Sequence, residues 1–210
     1  MNISDPDKQN QQQCKQQDAA DYEQAVSCCH NCGLAQTRIR PVWGNGCYGA
    51  QIMLLGEAPG ATEDQLGRPF AGKAGGLLDD FLAATAIPRA QLYISNVVKC
   101  RPVKPGKKPG SWVNRLPART EISACRCHFL AELALVQPKL IVTLGATPLA
   151  VFAHQKPVMS QWHGQPFVCG QTPIFPLYHP AAVIYNRNLA QEYAADMRCL
   201  HGYLLAESLL

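Results

Sequence analysis

Long apolar runs are missing from this sequence: nothing in its 210 residues approaches the ~18 consecutive apolar residues of a membrane-spanning helix. The opening MNISDPDKQNQQQ has neither the basic start nor the apolar stretch of a secretory signal. The expected compartment is therefore cytoplasmic, or nuclear in a cell that has a nucleus, and no membrane partner is expected. A strong charge of either sign is missing too. A formal net charge of +4 with 16% charged residues is compatible with a polyanionic partner without identifying one. The glycine-rich stretch after residue 55 has neither the GxxxxGK(S/T) nor the GxGxxG arrangement of phosphate-cradling loops, so no nucleotide cofactor is expected.

What the chain does have is enough apolar material, 47% of its residues, to bury one substantial core. One domain over residues 18–210 is expected, preceded by a polar, glutamine-rich tail over residues 1–17 that has nothing to bury and reads as disordered or frayed. A short helix then runs into a cysteine turn at SCCHNC. QIMLLG (51–56), LYISNV from residue 92, KLIVTLG (139–145) and a short segment within PIFPLYHP read as four strands. KAGGLLDDFLAAT (73–85), TEISACRCHFLAELALV (120–136), ATPLAVFA and residues 189–209 read as helices between and after them. Strands with continuous apolar character, separated by helices, indicate an α/β fold with a mainly parallel sheet covered on both faces. Ligands in such folds bind beyond the carboxyl ends of the strands, which directs attention to the segments starting near Gly56, Asn96, Gly145 and His179.

Ten cysteines in a chain read as cytoplasmic are poorly explained by disulfides. Cys29 and Cys32 form a C-x-x-C pair, Cys100 follows the second strand, and Cys125 lies in the helix beyond. Four thiolates satisfy either a 4Fe-4S cluster or a tetrahedral zinc ion, and spacing does not separate the two. A redox C-x-x-C fits less well, because the pair follows a helix and is crowded by Cys28. Cys28 and Cys127 each neighbour a proposed ligand, so the set is not unique. Cys169 and Cys199 are expected to fill apolar space. RPVKPGKKPG places Arg101, Lys104, Lys107 and Lys108 in one loop, with Arg115 and Arg119 close behind. It reads either as a phosphate grip or as a plain solvated loop.

In GEAPGATEDQLGRPFAGKAGG, Glu57 and Pro59 directly after a strand, with Phe70 held among prolines and glycines, read as a rigid pocket wall; a tight structural turn is the alternative. Taken with YISNVVKCRP, NRLPARTEISAC and YHPA, this stretch closely resembles the family 4 uracil-DNA glycosylases, over about 180 residues and with the motifs in the family's order. The resemblance implies a three-layer α/β/α sandwich around a four-stranded parallel sheet. It also implies a 4Fe-4S cluster, in preference to zinc, on Cys29, Cys32, Cys100 and Cys125. Glu57 resembles the catalytic acidic residue that places water and favours a cationic sugar, and Phe70 the aromatic on which a flipped uracil stacks. Asn96 resembles the uracil-reading amide, and His179 the histidine that donates to uracil O2. The implied activity is hydrolysis of the N-glycosidic bond of deoxyuridine in single- or double-stranded DNA, without strand cleavage, by a monomer associated with the nucleoid when acting on DNA. Two departures stand out. HPAAVIYNRN puts Tyr185 where many members carry an arginine, leaving Arg187 as a candidate phosphate contact. The segment between Cys100 and Cys125 is longer and more basic than in compact members, which makes Lys104, Lys107, Lys108 and Arg115 candidate backbone contacts. It holds no histidine, so ordinary hydrolysis is expected in place of the covalent attachment seen in relatives with a histidine-bearing insertion.

Overall fold

The computed structural model describes residues 6–153 and 155–210. Helix α1 spans Pro6–Ser27. It thus begins well inside the polar segment that reads as a tail; glutamine and lysine are good helix formers and proline suits a first helical position. Residues 1–5, also part of that expectation, lie outside the described residues.

Three five-residue strands form the centre: β1 (Ile52–Gly56), β2 (Leu92–Asn96) and β5 (Leu140–Leu144), every residue of which is buried. Burial on both sides is what a continuous apolar run without alternation requires. The two faces separate by parity. Ile52, Leu54, Ile94, Val142 and Leu144 pack with Leu78 and Leu82 of α3 (Lys73–Ala84) and with Tyr193, Met197 and Leu200 of α8 (Leu189–Ala206). Met53, Leu55, Tyr93 and Ile141 pack with Phe129 and Val136 of α4 (Arg119–Val136). Helices on both faces of one sheet make the three layers expected.

The sheet has five strands in the order β2-β1-β5-β7-β6, one more than the four expected. The parallel strands are β1, β2, β5 and β7 (Thr172–Leu177). The additional strand, β6 (Phe167–Cys169), pairs antiparallel with β7 through Cys169↔Thr172. Only three residues long and joined to β7 by the two-residue turn Gly170-Gln171, it is too short to carry a periodic signal of its own. Cys169, on this edge strand, packs against the core as expected, whereas Cys199 is exposed on α8 instead of filling apolar space. The basic loop also holds structure: β3 (Val103–Pro105) and β4 (Trp112–Asn114) form a separate antiparallel hairpin. Four short helices complete the chain: α2 (Ala61–Leu66), α5 (Ala146–Leu149), α6 (Met159–Trp162) and α7 (Pro180–Tyr185).

This order positions a site. From β1 the chain crosses to β2 on one side; from β2 it crosses back over β1 to β5 on the other. The carboxyl ends of β1 and β5 therefore flank a topological switch point, where the connections diverge and leave a crevice.

Candidate active site and candidate metal centre

The segments leaving β1, β2, β5 and β7 meet at that edge. Gly56 pairs with Asn96 across β1 and β2. A Cβ on Gly56 would stand 2.4 Å from Asn96 Oδ1 and 2.8 Å from the Phe70 ring, so the aromatic ring and the amide converge over a residue that must be glycine. Phe70 holds φ +51°, a costly backbone for a bulky residue, and its ring stacks on His179 with centroids 5.7 Å apart. Gly145, ending β5 at φ +97°, would bring a Cβ to 3.2 Å from His179 Cβ. It thereby admits the histidine carried in after β7.

Asn96 is 3% exposed, yet its side-chain amide has no hydrogen-bond partner among the described residues. Its amide atoms are not among the fully enclosed unpartnered ones, which are His128 Nε2, Thr143 Oγ1 and Tyr193 OH among the described residues, and the amide lies beside an aromatic face. His179 Nδ1 accepts from the Ala181 N–H at 3.1 Å, capping α7. Accepting at Nδ1 makes the ring neutral and puts its proton on Nε2. Burial pushes the His179 pKa down to about 4, against a smaller opposing pull from Glu63, which agrees with a neutral ring. Glu57 Oε2 accepts from the Thr147 hydroxyl across the β1–β5 crevice. Burial raises the Glu57 pKa and the Thr147 hydrogen bond partly opposes it. Glu63 holds the intervening loop closed, accepting from the Gly60 N–H at 3.1 Å and the Gly72 N–H at 2.7 Å.

The cysteines sort as cleanly. Cys29, Cys32, Cys100 and Cys125 line one small apolar cavity, together with Val98, Arg38 and His128. Cys28 and Cys127, the competing neighbours, are exposed and outside it. Arg38 Nη1 donates to Cys100 Sγ at 3.1 Å and the Lys99 N–H to Cys125 Sγ at 3.3 Å. His128 Nε2 is buried without a partner in the same cavity wall. Burial pushes the Cys125 thiol up to about 11 and raises Cys100 as well. Thiolates there need positive charge brought among them, which is what a metal centre supplies. A zinc ion with Zn–S bonds of about 2.3 Å would draw its sulfurs to about 3.8 Å of one another. Among the described residues no three His, Cys, Asp or Glu side chains are gathered as a metal site would have them, although the four cysteines share one cavity wall.

Between cavity and pocket lies a buried ion pair that sequence reading missed. Lys99 Nζ meets Glu132 Oε2 at 2.6 Å with the side chains 1% and 0% exposed. Glu132 also accepts from Tyr22, Tyr93 and Ser95 hydroxyls and the Gly44 N–H. Lys99 Nζ donates besides to Ser95 Oγ and, at 2.6 Å, to the Asn96 carbonyl. One signal was available: Cys125, His128, Phe129, Glu132 and Val136 form the buried stripe of α4, with the glutamate on its apolar side. Thr147 had no comparable signal.

Of the expected backbone contacts, Lys104, Lys107 and Lys108 are exposed on the hairpin and Arg187 is exposed after α7, beside Tyr185 at 90% exposure. Arg115 is differently placed. Glu121 takes its guanidinium in two hydrogen bonds of 2.7 and 2.6 Å, and the Val103 and Leu116 carbonyls take two more of its five N–H groups. Those four bonds make it a clamp at the foot of the hairpin.

The chain is thus an α/β/α sandwich that brings an aromatic ring, an amide and a neutral histidine together at its switch point, with a thiol-lined cavity nearby. Comparison with known proteins narrows this. The uracil DNA glycosylase superfamily profile matches residues 43–198. The type-4 uracil-DNA glycosylase of Thermotoga maritima is 38% identical, over 78% of this chain and 81% of that protein. Those of Sulfurisphaera tokodaii and Archaeoglobus fulgidus are 37% and 33% identical, over 84% and 85% of this chain and 80% and 89% of theirs. The chain belongs to the uracil-DNA glycosylase superfamily.

Proposed function

We propose that this protein is a uracil-DNA glycosylase that hydrolyses the N-glycosidic bond of deoxyuridine, releasing free uracil, leaving an abasic site and so initiating base excision repair. The observation that carries the reading is the convergence of the Asn96 amide and the Phe70 ring over Gly56, with a neutral histidine stacked on that ring. Uracil must leave the stack to reach it, at an unstacking cost of a few kcal/mol, unless the DNA is already single-stranded. Phe70 stacks on the ring, and Asn96 accepts from N3–H and donates to O4. Cytosine, with an amino group at C4 and no proton at N3, mismatches both. As the bond breaks, negative charge gathers on the base, and His179 Nε2–H, needing no protonation change, stabilises it at O2. Glu57, oriented by Thr147, holds the attacking water and favours the cationic sugar.

Cys29, Cys32, Cys100 and Cys125, which share one cavity wall, would hold a 4Fe-4S cluster, and the likeness to type-4 uracil-DNA glycosylases favours it over zinc. Bound there, the cluster supplies a cross-link between the turn after α1, the segment after β2 and helix α4. Residues 18–210 act as one domain, as a monomer, in the cytoplasm and on the nucleoid. No helix among the described residues is long and apolar enough to cross a membrane.

The direct test is uracil release from single-stranded, U·A and U·G oligonucleotides by cluster-loaded protein; release from none of them, with DNA binding intact, would sink the reading. Two further results are expected. Cys125→Ala or Cys100→Ala protein should lose its bound iron and acid-labile sulfide, whereas Cys28→Ala and Cys127→Ala should keep both; equal iron in all four variants contradicts the ligand set. Glu57 acts as carboxylate, so activity falls as pH drops through its pKa, and burial puts that fall above the ordinary glutamate range. Thr147→Val removes the hydrogen bond that lowers this pKa, so the acid limb of kcat/KM should move to higher pH. An unmoved limb would show that another group governs it.

A further inference from the structure

The β3–β4 hairpin carries features that neither the pocket nor the cysteine cavity uses. Residues 101–119, RPVKPGKKPGSWVNRLPAR, contain six lysines and arginines and no aspartate or glutamate. Arg115 is held by Glu121 and two carbonyls, which fixes the hairpin's foot, whereas Lys104, Lys107 and Lys108 are exposed and make no ion pair among the described residues. In their midst Trp112 is 51% exposed. A tryptophan left half in water on a short, clamped hairpin has no role in core packing.

The register tells which way it faces. Trp112 pairs with Pro105 and Asn114 with Val103, so Trp112 and Asn114, two residues apart, share one face of the hairpin. Asn114 is pinned by Arg101 Nε at 2.7 Å, and its Nδ2 lies 3.5 Å from where a Cβ on Gly60 would stand. Gly60 belongs to the loop that leaves β1 with Glu57. The tryptophan therefore stands on the side of the hairpin turned toward the pocket wall, with Lys107 and Lys108 in the adjoining turn, whereas Lys104, opposite Val113, lies on the other face.

We propose that this hairpin is a second DNA-contact surface, in which Trp112 stacks on an unpaired nucleobase of the strand carrying the lesion while Lys107 and Lys108 hold that strand's phosphates. A cationic surface with an accessible indole face is the combination that retains single strands without reading sequence, because every base offers a π-face. In a closed duplex those faces are covered, so the contact distinguishes single-stranded from paired DNA. The inference takes its class of partner from the proposed function, but not its chemistry.

Uracil-free oligonucleotides keep the two apart. Full-length, cluster-loaded protein is titrated into a fluorescein-labelled thymidine tract and, separately, into a blunt duplex, with anisotropy as readout. Trp112→Ala should weaken single-strand binding by about 10- to 100-fold, and Trp112→Phe should restore most of it. The duplex affinity should change far less. Lys107→Gln/Lys108→Gln should lower the slope of log affinity against log salt by roughly 1.4, from two phosphate contacts. Unchanged single-strand binding by Trp112→Ala overturns the proposal. So does an equal loss on both substrates, or a Trp112-dependent self-association with unaltered DNA binding. Trp112-dependent binding by a protein that releases no uracil would leave this proposal standing and remove the glycosylase reading instead.

Discussion

Replacing His179 by alanine is expected to slow single-turnover uracil release about 10²–10³-fold, the usual effect of deleting one preorganised donor from a developing anion. Substrate affinity should fall much less, because the donor matters most once charge has moved onto the base. The neutral ring makes a second, separable expectation. Its Nδ1 is occupied by the Ala181 N–H and burial holds its pKa down to about 4. The wild-type rate should therefore show no inflection near the ordinary histidine value of about 6.5, because the donor form is fully populated on both sides of it. An inflection there that disappears in His179→Ala would mean that the imidazolium, and not the Nε2–H of a neutral ring, does the work. Asn96→Ala should reduce release on the same scale and, unlike His179→Ala, should also weaken retention of free uracil, since the amide reads the base before any charge develops.

The second large effect lies behind the pocket. Removing Glu132 by substitution to alanine leaves the Lys99 ammonium buried without a counter-charge, and breaking a buried pair from one side costs about 3–5 kcal/mol. In a chain of this size that corresponds to a melting-midpoint fall of roughly 10 °C. Tyr22, Tyr93, Ser95 and the Gly44 N–H lose their common acceptor in the same step. The double replacement Lys99→Met/Glu132→Leu should recover much of the midpoint, because it removes both desolvated charges together. Calorimetry on the cluster-loaded variants checks this, and a Glu132→Ala midpoint within about 2 °C of wild type would show the pair to be energetically idle. The pair's geometry also bears on the pocket. Lys99 Nζ holds the carbonyl of Asn96, so the double variant, even if stable, should bind uracil less tightly than wild type.

The strands were legible because each is a short, self-contained apolar run, and the segments that gather at one sheet edge were legible because they follow those runs. Glu57, Asn96 and His179, far apart in the chain, come to one edge because parallel strands all end there. Phe70 joins them through its stack on His179. The fifth strand was not legible: three residues on a hairpin have no period, and their pairing is decided by β7. Nor did the proline-rich basic loop announce a hairpin, whose strands are three residues each and whose stability comes from the Arg115–Glu121 clamp at its foot.

By itself the sequence determined the α/β class, the layering, the order of the motifs and the cysteine candidates, because these depend on local pattern and spacing. Only the tertiary structure decided which cysteines share a cavity: adjacent residues such as Cys28 and Cys29 differ in nothing but the direction in which the folded backbone turns them. It alone decided that Thr147 meets Glu57 across ninety positions and that Lys99 meets Glu132 across thirty-three. Such contacts are made by strand order and helix packing, and no local period records them.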